Sequence, residues 1–285
     1  MPPSINCSTT MPAASRGDPA GEGDHAQAIS FGRWCGGDSI FLPGLQPFCH
    51  WWRQEESGRG RRRHRGATAA KYLRMLDASI EVTLIEANSD YYTCFMSNEV
   101  LAGGRTIDSI RFGYGGLRDH GVTVVHDRVV SIDTDRRVVR TRGGQRFSYD
   151  RCILSPGVDF RWDTIDGYDA RVAESIPHAW KAGEQTLILR RQLESMPDGG
   201  TVLIVPPPNP YRCPPAPYER ASQIAHYLKT SKPRSKILIL DPKDSFSMHD
   251  LFTDAWKRHY GYGTDNSLIS WISGAEGGRV EALDA

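Results

Sequence analysis

Two side chains in one short stretch have the types and spacing to act on a nucleotide. The apolar, strand-forming residues 80–85 are followed directly by an acid, Glu86. A carboxylate at the end of a buried parallel strand can accept hydrogen bonds from ribose hydroxyls. Cys94 follows after a polar turn and two tyrosines. The stretch therefore predicts a nucleotide-binding strand end with a thiol close by, although a buried, inert thiol is the other interpretation of Cys94.

A second cysteine, Cys213, stands just before a predicted helix. It precedes Pro214 and Pro215, and proline suits the first positions of a helix. The free N–H groups at a helix N-terminus stabilise a thiolate, so this position suits a redox cysteine. The alternative is a loop thiol without chemistry.

Composition narrows the class of protein. The 285 residues suffice for about two domains, and 39% hydrophobic residues allow a sizeable core. A formal net charge of +1 gives no general reason to expect nucleic acid, and no apolar run is long enough for a transmembrane helix. The six cysteines are dispersed without a C-x-x-C pair, which argues against a metal site.

Residues 1–65 differ in composition from the rest. They are rich in Gly, Ser, Arg and Pro, show no periodicity and end in a basic run at 58–65. A solvated, disordered tail is one interpretation, and a nucleic-acid-binding patch is a second. The third is that the segment is read out of frame. One set of GC-rich codons for residues 58–65, shifted by one nucleotide, encodes V-V-V-G-G-G-T-G, the strand and glycine-rich turn that a dinucleotide-binding fold requires at this point.

Residues 66–160 predict a nucleotide-binding half-domain. A helix over 67–76 precedes the strand that ends at Glu86. Apolar segments follow, and a turn at 142–144 predicts a hairpin; the segments are 122–126, 129–132, 138–141, 146–149 and 150–157. This is a βαβ unit without its first strand, then a small meander, then a strand that enters a glycine turn.

Residues 161–285 predict a second βαβ unit, with Asp241 at the ribose-like position. Helices are expected over 184–196 and 218–229, and strands over 201–205 and 236–240. The turn after the first strand reads P-P-P-N-P-Y-R-C-P-P and contains no glycine. Consecutive prolines supply no N–H donors for a phosphate, so the turn argues against NAD(P)H as the electron source.

Several motifs are similar to one family. D-Y-Y-T-C, R-C-P-P-x-P-Y-E-R-A-S-Q, H-A-W-K-A-G-E-Q-T and S-I-E-V-T-L-I-E resemble the flavoprotein subunit of flavocytochrome c sulfide dehydrogenase, a relative of sulfide:quinone reductases, over about residues 66–265. The resemblance implies an α/β fold with two Rossmann-like βαβ domains of the FAD/NAD(P)-binding disulfide-reductase type. By comparison with the family this copy is expected to be incomplete.

The resemblance also implies roles for individual residues. Glu86 would bind the adenosine ribose of FAD, and Cys94 would form a thioether to the flavin. Cys213 would be one half of a disulfide that sulfide attacks, with a c-type cytochrome subunit as the electron acceptor and the periplasm as the location. The remaining residues expected along the cofactor are Gly66, Val129, Ser155 and Gly157.

Two alternatives stay open. One is a sulfide:quinone reductase, although no apolar membrane-docking segment is visible in the sequence. The other is an inactive, truncated product, because no cysteine follows Cys213 to complete the disulfide and the family continues beyond residue 285.

Overall fold

The computed structural model describes residues 28–31, 63–157 and 159–284. The strands are β1 (Ala28–Phe31), β2 (Val82–Ile85), β3 (Asp90–Tyr92), β4 (Arg111–Gly113), β5 (Thr123–Val125), β6 (Val129–Asp133), β7 (Val138–Thr141), β8 (Arg146–Ser148), β9 (Cys152–Leu154), β10 (Thr201–Ile204), β11 (Lys236–Leu240) and β12 (Ile269–Ile272). The helices are α1 (Arg63–Leu76), α2 (Ser97–Ala102), α3 (Gly115–Asp119), α4 (Glu184–Ser195), α5 (Ala216–Ser231) and α6 (His249–Tyr260).

The first sheet has the strand order β5-β2-β1-β9. Val82, Leu84 and Ile85 of β2 are all buried. Successive side chains of a strand point to opposite faces of the sheet, and both faces of β2 are covered. Val82 and Leu84 form a core with Ala70 of α1, and Ile85 belongs to a second small core. A helix therefore covers one face of the strand that ends at Glu86.

The strand β1 occupies the place where a βαβ unit has its first strand, but it runs the other way. It is antiparallel to both β2 and β9, with Ala28 opposite Ile85 and Phe31 opposite Val82. The chain consequently leaves β1 beside Val82, at the end of β2 that lies away from Glu86. Since a phosphate-binding turn follows the carboxyl end of a parallel strand, β1 does not lead into such a turn beside Glu86. The proposed frame change at 58–65 lies mostly outside the described residues.

The meander β6-β7-β8 forms a separate three-stranded sheet. β7 pairs antiparallel with β8 across the turn at 142–144, where Gly144 has a φ of +83° and donates its N–H to the carbonyl of Thr141 at 3.0 Å. The predicted hairpin is confirmed.

The second sheet, β10-β11-β12, is fully parallel. Ile204, Ile237, Ile239 and Ile269 lie in one core with residues of α2, α4, α5 and α6, including the fully buried Trp256. α2 comes from the first half of the chain but packs on α4 and α5. No helix in the described part of the chain is long and apolar enough to cross a membrane.

Candidate functional site

Three strands of the first sheet end side by side. The pairing places Ile85 level with Val125 of β5 and, through Ala28, level with Leu154 of β9. Because β2 and β9 are both antiparallel to β1, they are parallel to each other. Two strand spacings separate them, which is about 10 Å. The chain segments that follow β2, β5 and β9 therefore emerge at one edge of the sheet.

Glu86 stands at that edge and is 2% exposed. Its backbone N–H donates to the carbonyl of Val125 at 2.9 Å, which continues the β2–β5 ladder by one residue. Its Oε1 accepts the backbone N–H of Asn88 at 3.0 Å and the Asn88 side-chain amide at 3.3 Å. These contacts fix the carboxylate at the strand end, where a ribose-binding acid is expected.

The other predicted cofactor residues divide into two groups. Ser155 and Gly157 follow β9 and so share the edge with Glu86, and Gly157 has a φ of +93°, which suits glycine. Val129 is buried and packs with Ile85. Gly66 is buried within α1, in the helix rather than in a turn before it.

Cys94 lies in the connection between β3 and α2 and is partly buried. Its carbonyl accepts the Ser97 hydroxyl at 2.9 Å at the first residue of α2. Met96, next to α2, has a φ of +64°, a left-handed conformation that is unusual for a side chain of this size. The connection is thus a tight turn that leads directly into α2.

Cys213 lies in a similar turn before α5. It is exposed, has a φ of +56° and accepts the backbone N–H of Ala216 through its carbonyl at 3.0 Å. The predicted position immediately before a helix is confirmed. No disulfide joins Cys94, Cys152 and Cys213 to one another in the described residues. In the same ranges, no group of three His, Cys, Asp or Glu side chains could hold a metal ion.

Asp241 follows β11 and is completely buried. Its Oδ2 accepts the Tyr218 hydroxyl at 2.5 Å and the Trp271 indole N–H at 3.0 Å. Its Oδ1 accepts the Lys243 ammonium at 2.6 Å. Side chains from α5 and β12 and the segment after β11 therefore surround a carboxylate that would face a ribose in a nicotinamide-binding domain. We call Asp241, Tyr218, Lys243 and Trp271 the Asp241 network.

Two tyrosines, Tyr218 of the network and the nearby Tyr211, have raised pKa values. Burial, followed by the hydrogen bond to Asp241, raises the pKa of Tyr218, so the phenol stays protonated and donates. Burial also raises the pKa of Tyr211. Sequence reasoning missed Tyr218, Lys243 and Trp271. The sequence offered one partial indication of this network, a lysine two residues after the acid in D-P-K.

Comparisons with known proteins agree with this architecture. Residues 64–195 match the pyridine nucleotide-disulphide oxidoreductase family. Residues 186–285 match the central part of the sulfide dehydrogenase [flavocytochrome c] flavoprotein chain. The flavoprotein chain of that enzyme from Chlorobaculum thiosulfatiphilum is 57% identical over 35 residues, which is 12% of this chain and 73% of that sequence.

Two solved structures share the fold. The sulfide:quinone oxidoreductase of Aquifex aeolicus matches with a TM-score of 0.52 and 20% identity, over 73% of this chain and 48% of that one. Putidaredoxin reductase, in a covalent complex with putidaredoxin, matches with a TM-score of 0.52 and 15% identity, over 73% and 47%. The chain thus spans about half the length of these structures.

The fold is therefore α/β of the FAD/NAD(P)-binding disulfide-reductase type, as predicted. The match over residues 186–285 contains the turn of Cys213, α5 and the Asp241 network. With the 57% identity to the Chlorobaculum sequence, these findings confirm the resemblance seen in the motifs. The chain belongs to the family of the flavoprotein chain of flavocytochrome c sulfide dehydrogenase.

Proposed function

We propose that this chain is the flavoprotein part of an FAD-dependent enzyme that oxidises sulfide and passes the electrons to a c-type cytochrome. One observation carries the proposal. α2 begins three residues after Cys94, α5 begins three residues after Cys213, and the two helices pack against each other. The packing connects the cysteine near the nucleotide edge with the turn of the second cysteine.

The described residues fit the adenosine end of FAD. Glu86 is a buried acid at the end of a parallel strand, and it shares its edge of the sheet with Ser155 and Gly157. Residues 32–62, between β1 and α1, lie outside the described part of the chain. When bound, FAD would supply two-electron chemistry, and the protein would supply binding and orientation.

Cys94 is proposed as the covalent attachment point of the flavin. Its partial burial restricts access by other reagents, and the turn that ends at Ser97 holds its backbone. A covalent bond at this position would fix the cofactor relative to α2 and so relative to α5.

Cys213 is proposed as the redox cysteine, and its exposure supports this role. Attack of hydrosulfide on a disulfide that includes Cys213 leaves a persulfide on one sulfur and releases the other as a thiolate. When bound, FAD would accept the two electrons that are released as the thiolate bonds to the outer sulfur of the persulfide, which loses its proton, and the cytochrome would then receive these electrons. By the same family relation we propose the periplasm as the site of action.

Acid precipitation of the protein expressed with FAD tests the attachment. We expect flavin absorbance in the washed pellet, and its loss in Cys94→Ser. The control is Cys152→Ser, since Cys152 is a partly buried strand residue that packs against the small core containing Ile85. A pellet without flavin from the wild-type chain contradicts the attachment proposal.

Anaerobic titration with sulfide tests the activity. We expect bleaching of the flavin by sulfide and recovery of its absorbance on addition of oxidised cytochrome c. Cys213→Ser should abolish the bleaching without releasing the flavin. Recovery with a quinone and not with cytochrome c would favour the sulfide:quinone reductase alternative. Bound flavin without bleaching would contradict sulfide oxidation by this chain.

A further inference from the structure

The Asp241 network extends to the turn that carries Cys213. The Lys243 ammonium lies 2.6 Å from Asp241 Oδ1 and donates a second hydrogen bond to the carbonyl of Pro207 at 3.0 Å. Lys243 is 9% exposed and Asp241 is 0% exposed. Pro207 belongs to the proline-rich segment between β10 and α5, residues 205–215, which we call the cysteine turn.

A second contact reaches the same turn. The Lys243 ammonium lies 5.0 Å from the centre of the Tyr211 ring, within the range of a cation–π interaction. The Tyr211 hydroxyl donates to the carbonyl of Pro214 at 2.7 Å. Lys243 therefore contacts the turn before Cys213 at two places, and Tyr211 connects it to the residue just after Cys213.

The cysteine turn has few backbone hydrogen bonds of its own. Prolines have no N–H, so this segment can form few backbone hydrogen bonds of its own. Cys213 also adopts a left-handed conformation, which is unfavourable for a side chain with a Cβ and persists only where its surroundings fix it. The buried ion pair between Lys243 and Asp241 can support the turn, because hydrogen bonds from Tyr218 and Trp271 also hold Asp241 in place.

We propose that Lys243 is a positioning residue, which uses the buried Asp241 to hold the cysteine turn and so sets the place of Cys213. In this interpretation the acid that would bind a nicotinamide ribose binds an internal ammonium, and the former nucleotide site supports the thiol. The effect on sulfide oxidation rests on the proposed function. The effect on the turn does not.

Trypsin and hydrogen exchange test the effect on the turn. Arg212 is exposed and is the only lysine or arginine in residues 205–215. Lys243→Met keeps most of the aliphatic side chain but removes the ammonium. We expect cleavage after Arg212, and amide exchange at Ala216, whose N–H donates to the Cys213 carbonyl, to become about tenfold faster, because local opening controls both rates. Lys243→Arg should restore most of the protection.

Matched variants separate positioning from general destabilisation. Lys257→Met removes an exposed lysine that pairs with Asp254 on α6, so cleavage after Arg212 should not change. Trp271→Phe loosens the hold on Asp241 but leaves both contacts of Lys243 with the turn in place, so cleavage after Arg212 should accelerate less than in Lys243→Met. Equal acceleration at Arg212 and at sites far from the turn in Lys243→Met would overturn the proposal, and so would no acceleration.

A double variant keeps the test valid if the single variant does not fold. Asp241→Asn with Lys243→Met removes both charges and leaves no unpaired buried ion. The turn should still open faster. Sulfide-dependent bleaching should slow about tenfold in the same variants. If the wild-type protein shows no bleaching, the proposed function fails, while the protease and exchange results still decide the role of Lys243.

Discussion

The two halves of the molecule each place a buried acid directly after a strand that pairs in parallel, but they surround the acid differently. Glu86 follows β2, and its contacts with Asn88 come from two residues further along the same turn. Asp241 follows β11, and its partners come from α5, from β12 and from the segment beyond the strand. The topological position is shared, so the neighbours decide what each acid can bind.

The difference has an electrostatic reason. A carboxylate buried without partners is very unfavourable, so the chain must supply donors or leave room for a ligand that does. At Asp241 the chain supplies an ammonium, a phenol and an indole N–H, which leaves the carboxylate no exposed surface. Together with the proline-rich turn, this arrangement supports the prediction that NAD(P)H is not the electron source, which stays a prediction.

The largest expected effect is on the network itself. Asp241→Ala leaves the Lys243 ammonium buried without its partner, which should cost roughly 3–5 kcal/mol of unfolding free energy. Urea denaturation measures this loss. Asp254→Ala removes an acid from an exposed pair with Lys257, and it should cost about 0–1 kcal/mol. Similar losses in both variants would show that the Asp241 network does not stabilise the fold.

The next largest effect is expected on FAD affinity when Glu86 is replaced. In a Cys94→Ser background, where FAD binding is reversible, Glu86→Gln should weaken FAD binding by roughly 10–100-fold. The variant loses charge-assisted hydrogen bonds to ribose worth about 1.5–3 kcal/mol. Flavin fluorescence titration measures the affinity. Asp241→Asn in the same background should leave it unchanged, and a comparable loss there would remove the distinction between the two acids.

A smaller effect separates the contributions within the network. Trp271→Phe keeps an aromatic ring beside Phe246 and His249 but deletes one hydrogen bond to Asp241. The expected loss is about 1 kcal/mol, because the Tyr218 and Lys243 contacts remain. Chemical denaturation gives the value. A loss near that of Asp241→Ala would mean that the indole N–H, and not the ammonium, is the main partner of the acid.

Local sequence patterns predicted most strands and the positions of both acids. The segments 138–141 and 236–240 match β7 and β11, because short runs rich in β-branched and apolar residues specify a strand without distant information. α6 and β12 were not predicted, since their apolar residues face a core that forms only when α5 and β11 are in place. The partners of Asp241 are distant in sequence for the same reason.

The segment before α1 shows a further limit. Composition indicated no strand there, yet residues 28–31 pair with β2 and β9 in an antiparallel direction. Backbone hydrogen bonds between strands depend only weakly on side-chain identity. The unpaired N–H and C=O groups of two neighbouring strands can therefore pair with a short segment in either direction. The out-of-frame hypothesis stays a prediction. Sequencing the coding DNA tests it, and codons that encode no glycine-rich turn in the shifted frame would rule it out.

The smallest expected effect comes from an exposed acid that has local partners. Asp198 accepts hydrogen bonds from the backbone N–H and side chain of Arg234, at 2.9 Å and 2.8 Å, and the side-chain bond is the main cause that lowers its pKa. A lowered pKa in the folded state adds stability above the unfolded value of about 3.9, and that stability is lost as the pH falls through the folded value. Asp198→Asn should therefore lower Tm slightly at neutral pH, and the gap to wild type should close below about pH 3.9. Because water screens this pair while Asp241 is sealed from solvent, a gap as large as that of Asp241→Ala would show that burial does not set the strength of these contacts.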